Sequence, residues 1–250
     1  MLRIENLCKS FGGVVATSDV SIHFRKDSLS AVIGPNGAGK TTFFNLISGA
    51  LQPDSGRILL DGENIVGKSS SDIVRMGIGR AFQVAKLFKT LTVEESLRGA
   101  LMSPMGRSTQ MYGRFPLAET RDRAHEVMEQ LGLHTKANIV SGNLSHGDQK
   151  LLDMALALVL RPKILLLDEP VAGMGPEERE QMIETVHKLW EQGGLTLVLI
   201  EHDMDIVFRI SQHIHVLSYG KLLAQGNAEE IRTNPAVIEA YLGTPREVQA

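Results

Sequence analysis

The chain reads as an α/β fold with a mixed sheet, and three features point to it. An apolar run, Leu29 to Ile33, leads into a glycine-rich turn and then a helix-forming stretch. Strand-like runs return at Ile164 to Leu167 and Leu195 to Ile200 with a helical pattern between them, and that alternation implies a parallel sheet. From about Gly79 to Pro162 the strand signal fades and helical patterns dominate, as in an inserted helical subdomain.

Taken in order, strand patterns at Leu2 to Ile4 and Val20 to Phe24 precede Leu29 to Ile33, so the opening is an antiparallel β-subdomain beside a parallel element. The helix after the glycine-rich turn ends near Gly49, and turns at Asp54-Ser-Gly56 and Asp61-Gly62 bracket a short strand, Ile58 to Leu60. Thr92 and Glu95 have capping-box spacing, and a helix is expected from Leu117 to Leu131 with Gly132 as its stop. The stretch Met102 to Pro116 reads as a loop or a loose helical excursion. A later helix shows an apolar face of Met182, Ile183, Val186, Leu189 and Trp190 and stops at Gly193-Gly194. The expected organisation is one domain, 1–250, with a core lobe from 1–80 and 161–250 and a helical lobe over 81–160.

Composition narrows the function. With 250 residues, 43% of them hydrophobic, the chain can bury a sizeable core. A net charge of −3 without a dense basic run disfavours a nucleic-acid partner. The lone cysteine, Cys8, cannot form an internal disulfide, and the first residues lack the basic-then-apolar pattern of a secretion signal, so the cytoplasm is expected. Met154 to Leu160 and Ile164 to Leu167 fall far short of the roughly 20 apolar residues a membrane span needs. Membrane association would therefore run through a partner.

Gly34, Pro35, Asn36, Gly37, Ala38, Gly39, Lys40, Thr41 and Thr42 carry the spacing G-x-x-x-x-G-K-[ST] in a strand, loop and helix context. Glycines let successive backbone N–H groups converge on phosphates, and the helix N-terminus adds positive potential. Lys40 then reaches the β- and γ-phosphates and the Thr41 hydroxyl ligates Mg²⁺. The alternative is a glycine-rich turn with a chance lysine. With the mixed sheet this makes a P-loop NTPase core.

Ile164 to Leu167 ends in Asp168 and Glu169, which reads as a buried central strand presenting two carboxylates at its carboxyl end, where open α/β sheets bind ligands. Asp168 would hold Mg²⁺ through water and Glu169 would polarise the attacking water as general base. A capped strand entering a solvated loop is the plainer alternative. Leu144-Ser-His-Gly-Asp-Gln149 precedes a helix rich in Leu, Ala and Met, and Ser145 with the Gly147 N–H would make a second anion-binding helix start. Within one subunit it would compete with the first. Two head-to-tail copies could instead place each against the other's γ-phosphate, whereas on local grounds alone Ser145 is simply an N-cap.

In this order the motifs resemble the ATP-binding-cassette (ABC) family over nearly the whole chain. The resemblance implies that Phe11 stacks on adenine, that Gln83 in Ala81-Phe-Gln83 couples Mg²⁺ and water to the helical lobe, and that His202 in Ile200-Glu-His-Asp203 orients Glu169 and contacts the γ-phosphate. Taken alone, these three would be a core aromatic, a surface amide and a structural histidine. Three departures stand out: His146 where the family has glycine, Asp148 where it has glutamine, and Gly175 where it has a loop aspartate.

Within the family, Gly79 to Val93, Glu201 to Phe208 and Asn234 to Gly243 resemble ATPase subunits of branched-chain amino-acid importers, with urea importers and lipopolysaccharide-export ATPases as similar alternatives. The resemblance implies ATP and Mg²⁺ as cofactors. It also implies a second ATPase subunit, identical or paralogous, membrane-spanning permease subunits and, indirectly, a solute-binding protein, at the cytoplasmic face of the inner membrane. Lys86, Leu87, Phe88 and Leu91 are the expected docking surface for a coupling helix, with packing inside the helical lobe as the alternative. Soluble cassette ATPases of ribosomes or DNA repair and non-cassette kinases are the runners-up. A single cassette without a sustained heptad run speaks against the former.

Overall fold

A computed structural model describes residues 1–81, 87–102 and 117–242. In chain order the elements are β1 (Leu2–Phe11), β2 (Val14–Phe24), β3 (Leu29–Ile33), α1 (Lys40–Ile47), β4 (Ser55–Leu60), β5 (Glu63–Asn64), α2 (Ser70–Met76), β6 (Ile78–Ala81), α3 (Val93–Met102), α4 (Leu117–Gln130), α5 (His146–Leu158), β7 (Ile164–Asp168), α6 (Pro176–Glu191), β8 (Thr196–Ile200), α7 (Met204–Ile210), β9 (His213–Ser218), β10 (Lys221–Gly226), α8 (Ala228–Arg232) and α9 (Pro235–Leu242). They fall into two compact units, Met1–Ile73 with the chain from Thr196 onward, and Val74–Leu195.

The first unit contains an antiparallel sheet in the order β2-β1-β4-β5. Leu2 pairs with Phe24, Ile4 with Ile22 and Leu7 with Val20, and these side chains form its buried face. Phe11 faces Val14 across Gly12-Gly13, with Gly12 at φ 57, as a two-residue hairpin requires. Both strands run well beyond Leu2 to Ile4 and Val20 to Phe24. The register shifts after Ile4 and again after Leu7, so the period-two pattern on which sequence recognition depends is lost in the distal half.

In the same unit β3 lies between β8 and β9 and is parallel to both. All five residues of β3 and of β8 are buried, which is why both read as unbroken apolar runs. The sheet is mixed, as expected: strand and helix alternation accounts for the parallel strands, and β10 pairs antiparallel with β9. Only Tyr219 and Gly220 join the two strands, both with positive φ (47 and 73), and two residues can close a hairpin but not a crossover.

The second unit contains the parallel pair β6 and β7, with α5 packed on both. β6 corrects the expectation that strand signals fade after Gly79. Only four residues long, it carries Gly79 and Arg80 in its interior, neither a strand former, and a Cβ at Gly79 would come 3.2 Å from the Pro162 side chain. The Thr92–Glu95 box forms as expected: the Thr92 N–H donates to Glu95 Oε2 at 2.8 Å and Thr92 Oγ1 accepts from the Glu95 N–H at 3.2 Å. Helix α4 stops before Gly132 at φ 69, and α6 buries Met182, Ile183, Val186 and Leu189 with Trp190 half-buried. The segment 103–116 lies outside the described residues. Among the described residues no helix is long and apolar enough to cross a membrane.

Candidate nucleotide site

The loop from Gly34 to Gly39 joins β3 to α1, and its glycines are there for space as well as for torsion. Gly34 (φ 154) and Gly39 (φ 99) sit so close to neighbouring backbone that a Cβ would fall 2.1 Å from the Leu217 carbonyl oxygen and 2.2 Å from that of Ala16. Gly37 (φ 78) faces open space, so there the torsion alone selects glycine. Strands β2 and β9 thus brace the loop. The Gly220 N–H donates to the Ala38 carbonyl at 3.1 Å, and the Ser18 N–H donates to Gly220 at 2.7 Å.

Lys40 is only 6% exposed, and its ammonium is folded onto its own loop, donating to the carbonyls of Gly34 at 2.6 Å and Pro35 at 3.1 Å. Those two carbonyls stand in for the acceptors that phosphate oxygens would supply. Pro35, Asn36 and Thr42 are half-buried or exposed, Ala38 is buried, and Thr41 is exposed, leaving its hydroxyl accessible at the first turn of α1. Helix α9 adds a group that sequence reasoning missed. Burial pushes the Tyr241 hydroxyl up to about 12, opposed by a hydrogen bond with the Gly34 backbone. No motif marks a lone tyrosine about two hundred residues downstream of the loop it touches.

In the second unit, β7 carries Asp168 as its last residue. Asp168 is 5% exposed and accepts from Arg80 Nη2 at 2.7 Å, with the Arg80 side chain itself 7% exposed. Sequence reading gave Arg80 no role. The pairing follows from the β6–β7 register, Arg80 opposite Leu166, which brings the guanidinium within reach of the strand end. Glu169 follows at φ 51, an uncommon torsion for a glutamate, of the kind that functional sites hold against strain. Its carbonyl accepts from the buried ammonium of Lys150 at 2.8 Å and from the Ala172 N–H at 3.1 Å, which fixes the turn after the strand.

Ser145 is the N-cap of α5. Its Oγ accepts from the Asp148 N–H at 3.1 Å and donates to Asp148 Oδ2 at 2.8 Å, and Lys136 pairs with the same carboxylate. The plain capping role therefore exists, and Asp148 employs the hydroxyl that a phosphate would seek. Gly147 is buried, with the Glu178 carboxylate 3.3 Å from where its Cβ would lie, and a cleft of about 230 Å³ opens beside Ser145 and Gly147. The His146 ring lies over Gly173, 3.3 Å from where a Cβ there would sit.

Phe11 is 46% exposed, not a core side chain, with Lys9 Nζ 5.5 Å from its ring centroid. His202 is exposed after β8, and its N–H donates to Glu201 Oε2 at 3.1 Å. Gln83 and Lys86 lie outside the described residues. Of the expected docking side chains, Phe88 is 61% exposed while Leu87 and Leu91 are half-buried. Thus Phe11, the phosphate loop and His202 belong to the first unit, and Ser145, Gly147, Asp168 and Glu169 to the second.

The sequence profile described as ABC transporter matches residues 17–172, more than half of the chain. The chain belongs to the ABC transporter family. A second profile, branched-chain amino acid ATP-binding cassette transporter, matches residues 221–247 of this ABC ATPase. It is 40% identical to the high-affinity branched-chain amino acid transport ATP-binding protein LivG of Escherichia coli (strain K12), over 97% of this chain and 98% of that protein. It is also 40% identical to BraF of Pseudomonas aeruginosa, which carries the same description, with the same coverage. Among solved structures, an ATP-binding cassette of an ABC transporter superposes with a TM-score of 0.87 at 32% identity, over 97% of this chain and 99% of that one. The ADP conformation of such a cassette superposes with a TM-score of 0.85 at 33% identity, over 98% of this chain and 99% of that one. The ABC ATPase binds nucleotide and hydrolyses ATP.

Proposed function

We propose that this ABC ATPase drives an importer of branched-chain amino acids. Identity of 40% over 97% of the chain to transport proteins of that description carries the reading, and the C-terminal profile at 221–247 supports it. The partners we propose are a second ATPase subunit, membrane-spanning permease subunits at the cytoplasmic face of the membrane and, through them, a solute-binding protein. A cassette whose solved structure is dimeric superposes with a TM-score of 0.79 at 25% identity, which supports the pairing.

In the proposed cycle Phe11 stacks on adenine, worth about 1 to 3 kcal/mol with little choice of base. Lys40 exchanges its two loop carbonyls for phosphate oxygens, and backbone N–H groups of the loop close around them. Glu169 takes a proton from the attacking water while the oxygen bonds to the γ-phosphorus and the bond to the bridging oxygen breaks, giving ADP and phosphate. His202 orients Glu169. Ser145 and Gly147 of the second copy complete the γ-phosphate shell, a contribution in trans of the kind that can be worth roughly 10³ to 10⁵ in rate.

The Thr41 hydroxyl and the Asp168 carboxylate are hard oxygen donors suited to Mg²⁺, with Gln83 as a further oxygen donor. No group of three His, Cys, Asp or Glu among the described residues could hold a metal, which fits a cation coordinated mainly by phosphate and water. When bound, Mg²⁺ would neutralise charge developing on the phosphates. The helical lobe, 81–160, transmits closure to the membrane subunits.

The cargo is tested by reconstituting the chain with the permease subunits that co-purify with it from membranes and measuring uptake. ATP-dependent uptake of leucine, isoleucine and valine is expected, and uptake of urea in their place would refute the assignment.

A further inference from the structure

A cavity of about 530 Å³ opens in the first unit between the β1–β2 hairpin and the β9–β10 edge. It lies at the end of β1 remote from Phe11: Arg3 and Phe11 are eight residues apart, roughly 26 Å along an extended strand. None of its lining residues belongs to the nucleotide machinery. Its volume falls within the range of small-molecule pockets.

The lining is electropositive. Arg3 enters from β1, His23 and Arg25 from β2 and the turn after it, and His213 and His215 from β9. Burial, then the charges of the chain's amino terminus, Arg3 and Arg25, push the His23 pKa down, so positive potential reaches the lining. Of the lining residues only Glu5 carries a carboxylate, engaged by Arg57 at 2.9 Å and Arg3 at 3.9 Å, and the neighbouring Glu230 carboxylate, which lies against Gly226, accepts from the Asn227 N–H at 2.7 Å. Three imidazoles would suit a metal, yet no three such groups among the described residues converge enough to hold one.

His215 supplies the independent sign of a ligand. It is 5% exposed, and neither ring nitrogen has a hydrogen-bond partner. Phe24 fixes the ring plane in an edge contact at 5.1 Å, and Gln225, its cross-strand neighbour on β10, comes close enough to raise the imidazole pKa in opposition to burial. Burial holds the imidazole neutral, with a pKa of about 4, so it offers one N–H donor and one lone pair. A buried polar group left in that state costs about 1 to 3 kcal/mol unless a partner arrives.

We infer that this cavity binds a small organic oxyanion that carries a hydroxyl donor of its own, a phosphate monoester or a hydroxy acid. The oxyanion meets Arg3 and Arg25, for which planar guanidinium groups are suited, and accepts the imidazole N–H. The ligand hydroxyl donates to the remaining imidazole nitrogen. Strand β9 carries both His215 and Leu217, whose carbonyl abuts Gly34, so an occupied cavity sits two residues from a brace of the phosphate loop.

The test is NMR titration of imidazole signals with glycerol 3-phosphate and, separately, citrate, at constant ionic strength and with saturating ADP filling the phosphate loop. The expected result is a saturable shift of the His215 signal with Kd below about 1 mM for one of the two, which names the class. In Arg25→Gln, an exposed position where folding is undisturbed, affinity falls about tenfold or more. A shift that fails to saturate, that sodium chloride reproduces, or that Arg25→Gln leaves unchanged would overturn the assignment.

Discussion

Replacing Arg80 by methionine is the sharpest probe of the acidic strand. The substitution keeps length and apolar volume but leaves Asp168, 5% exposed, without the guanidinium that contacts it at 2.7 Å. Because both partners are buried, the relevant scale is that of breaking a buried pair, about 3 to 5 kcal/mol, not the fraction of a kilocalorie typical of surface pairs. At roughly 2 to 4 °C per kcal/mol for a chain of this size, Tm should fall by about 6 to 20 °C. Urea denaturation of the wild type, Arg80→Met, Asp168→Asn and the double variant closes a thermodynamic cycle. The double variant should recover much of the loss, because no uncompensated charge then remains buried. A loss below about 1 kcal/mol for Arg80→Met, or full additivity in the cycle, would refute the claim that Arg80 compensates the Asp168 charge.

Three further outcomes follow from particular contacts. Gly39→Ala drives a Cβ to 2.2 Å from the Ala16 carbonyl at φ 99, so ATPase turnover should drop roughly a hundredfold while circular dichroism is unchanged; wild-type turnover would show that the loop tolerates the clash. His215 has its pKa lowered from 6.5 to about 4 by burial, so the unfolded chain binds the extra proton between those values; the stability it contributes is complete above pH 6.5 and lost as pH falls through 4. Denaturation at pH 7.5 and pH 5 should differ by about 2 kcal/mol more in the wild type than in His215→Leu, and equal differences would contradict the burial argument. Asp148→Gln removes the carboxylate that holds the Ser145 hydroxyl, at a cost of roughly 0.3 to 1 kcal/mol at the α5 N-terminus, and should strengthen ATP-driven association measured by light scattering; weaker association would show that Asp148 assists the contact.

What the sequence made legible, and what it did not, has physical causes. The phosphate loop, β3, β7 and the Thr92 cap were readable because each depends on local chemistry: torsions only glycine adopts, unbroken apolar runs, or a three-residue spacing between a hydroxyl and a carboxylate. The distal halves of β1 and β2 were hidden by bulges that break the alternation, and β6 by an interior of glycine and arginine placed for a tight approach and an ion pair. Arg80, Tyr241 and His215 escaped notice for a shared reason. Each acquires its meaning from neighbours far away in sequence: Arg80 meets Asp168, 88 residues on, Tyr241 meets Gly34, and the His215 ring packs against Phe24, contacts that no periodicity within a single segment encodes. The Ser145 hydroxyl was legible as a cap, but its engagement by Asp148 depends on a rotamer that no spacing reveals.

The decisive measurement is the oligomeric state of Glu169→Gln with ATP and Mg²⁺, by light scattering coupled to size exclusion. Replacing the carboxylate of the proposed general base by an amide of the same shape should leave ATP bound and two copies closed around it, returning to monomers when ATP is withheld. A variant that binds ATP yet remains monomeric, where association of the wild type is detectable, would mean that the serine and glycine at the start of α5 never meet a neighbour's phosphate.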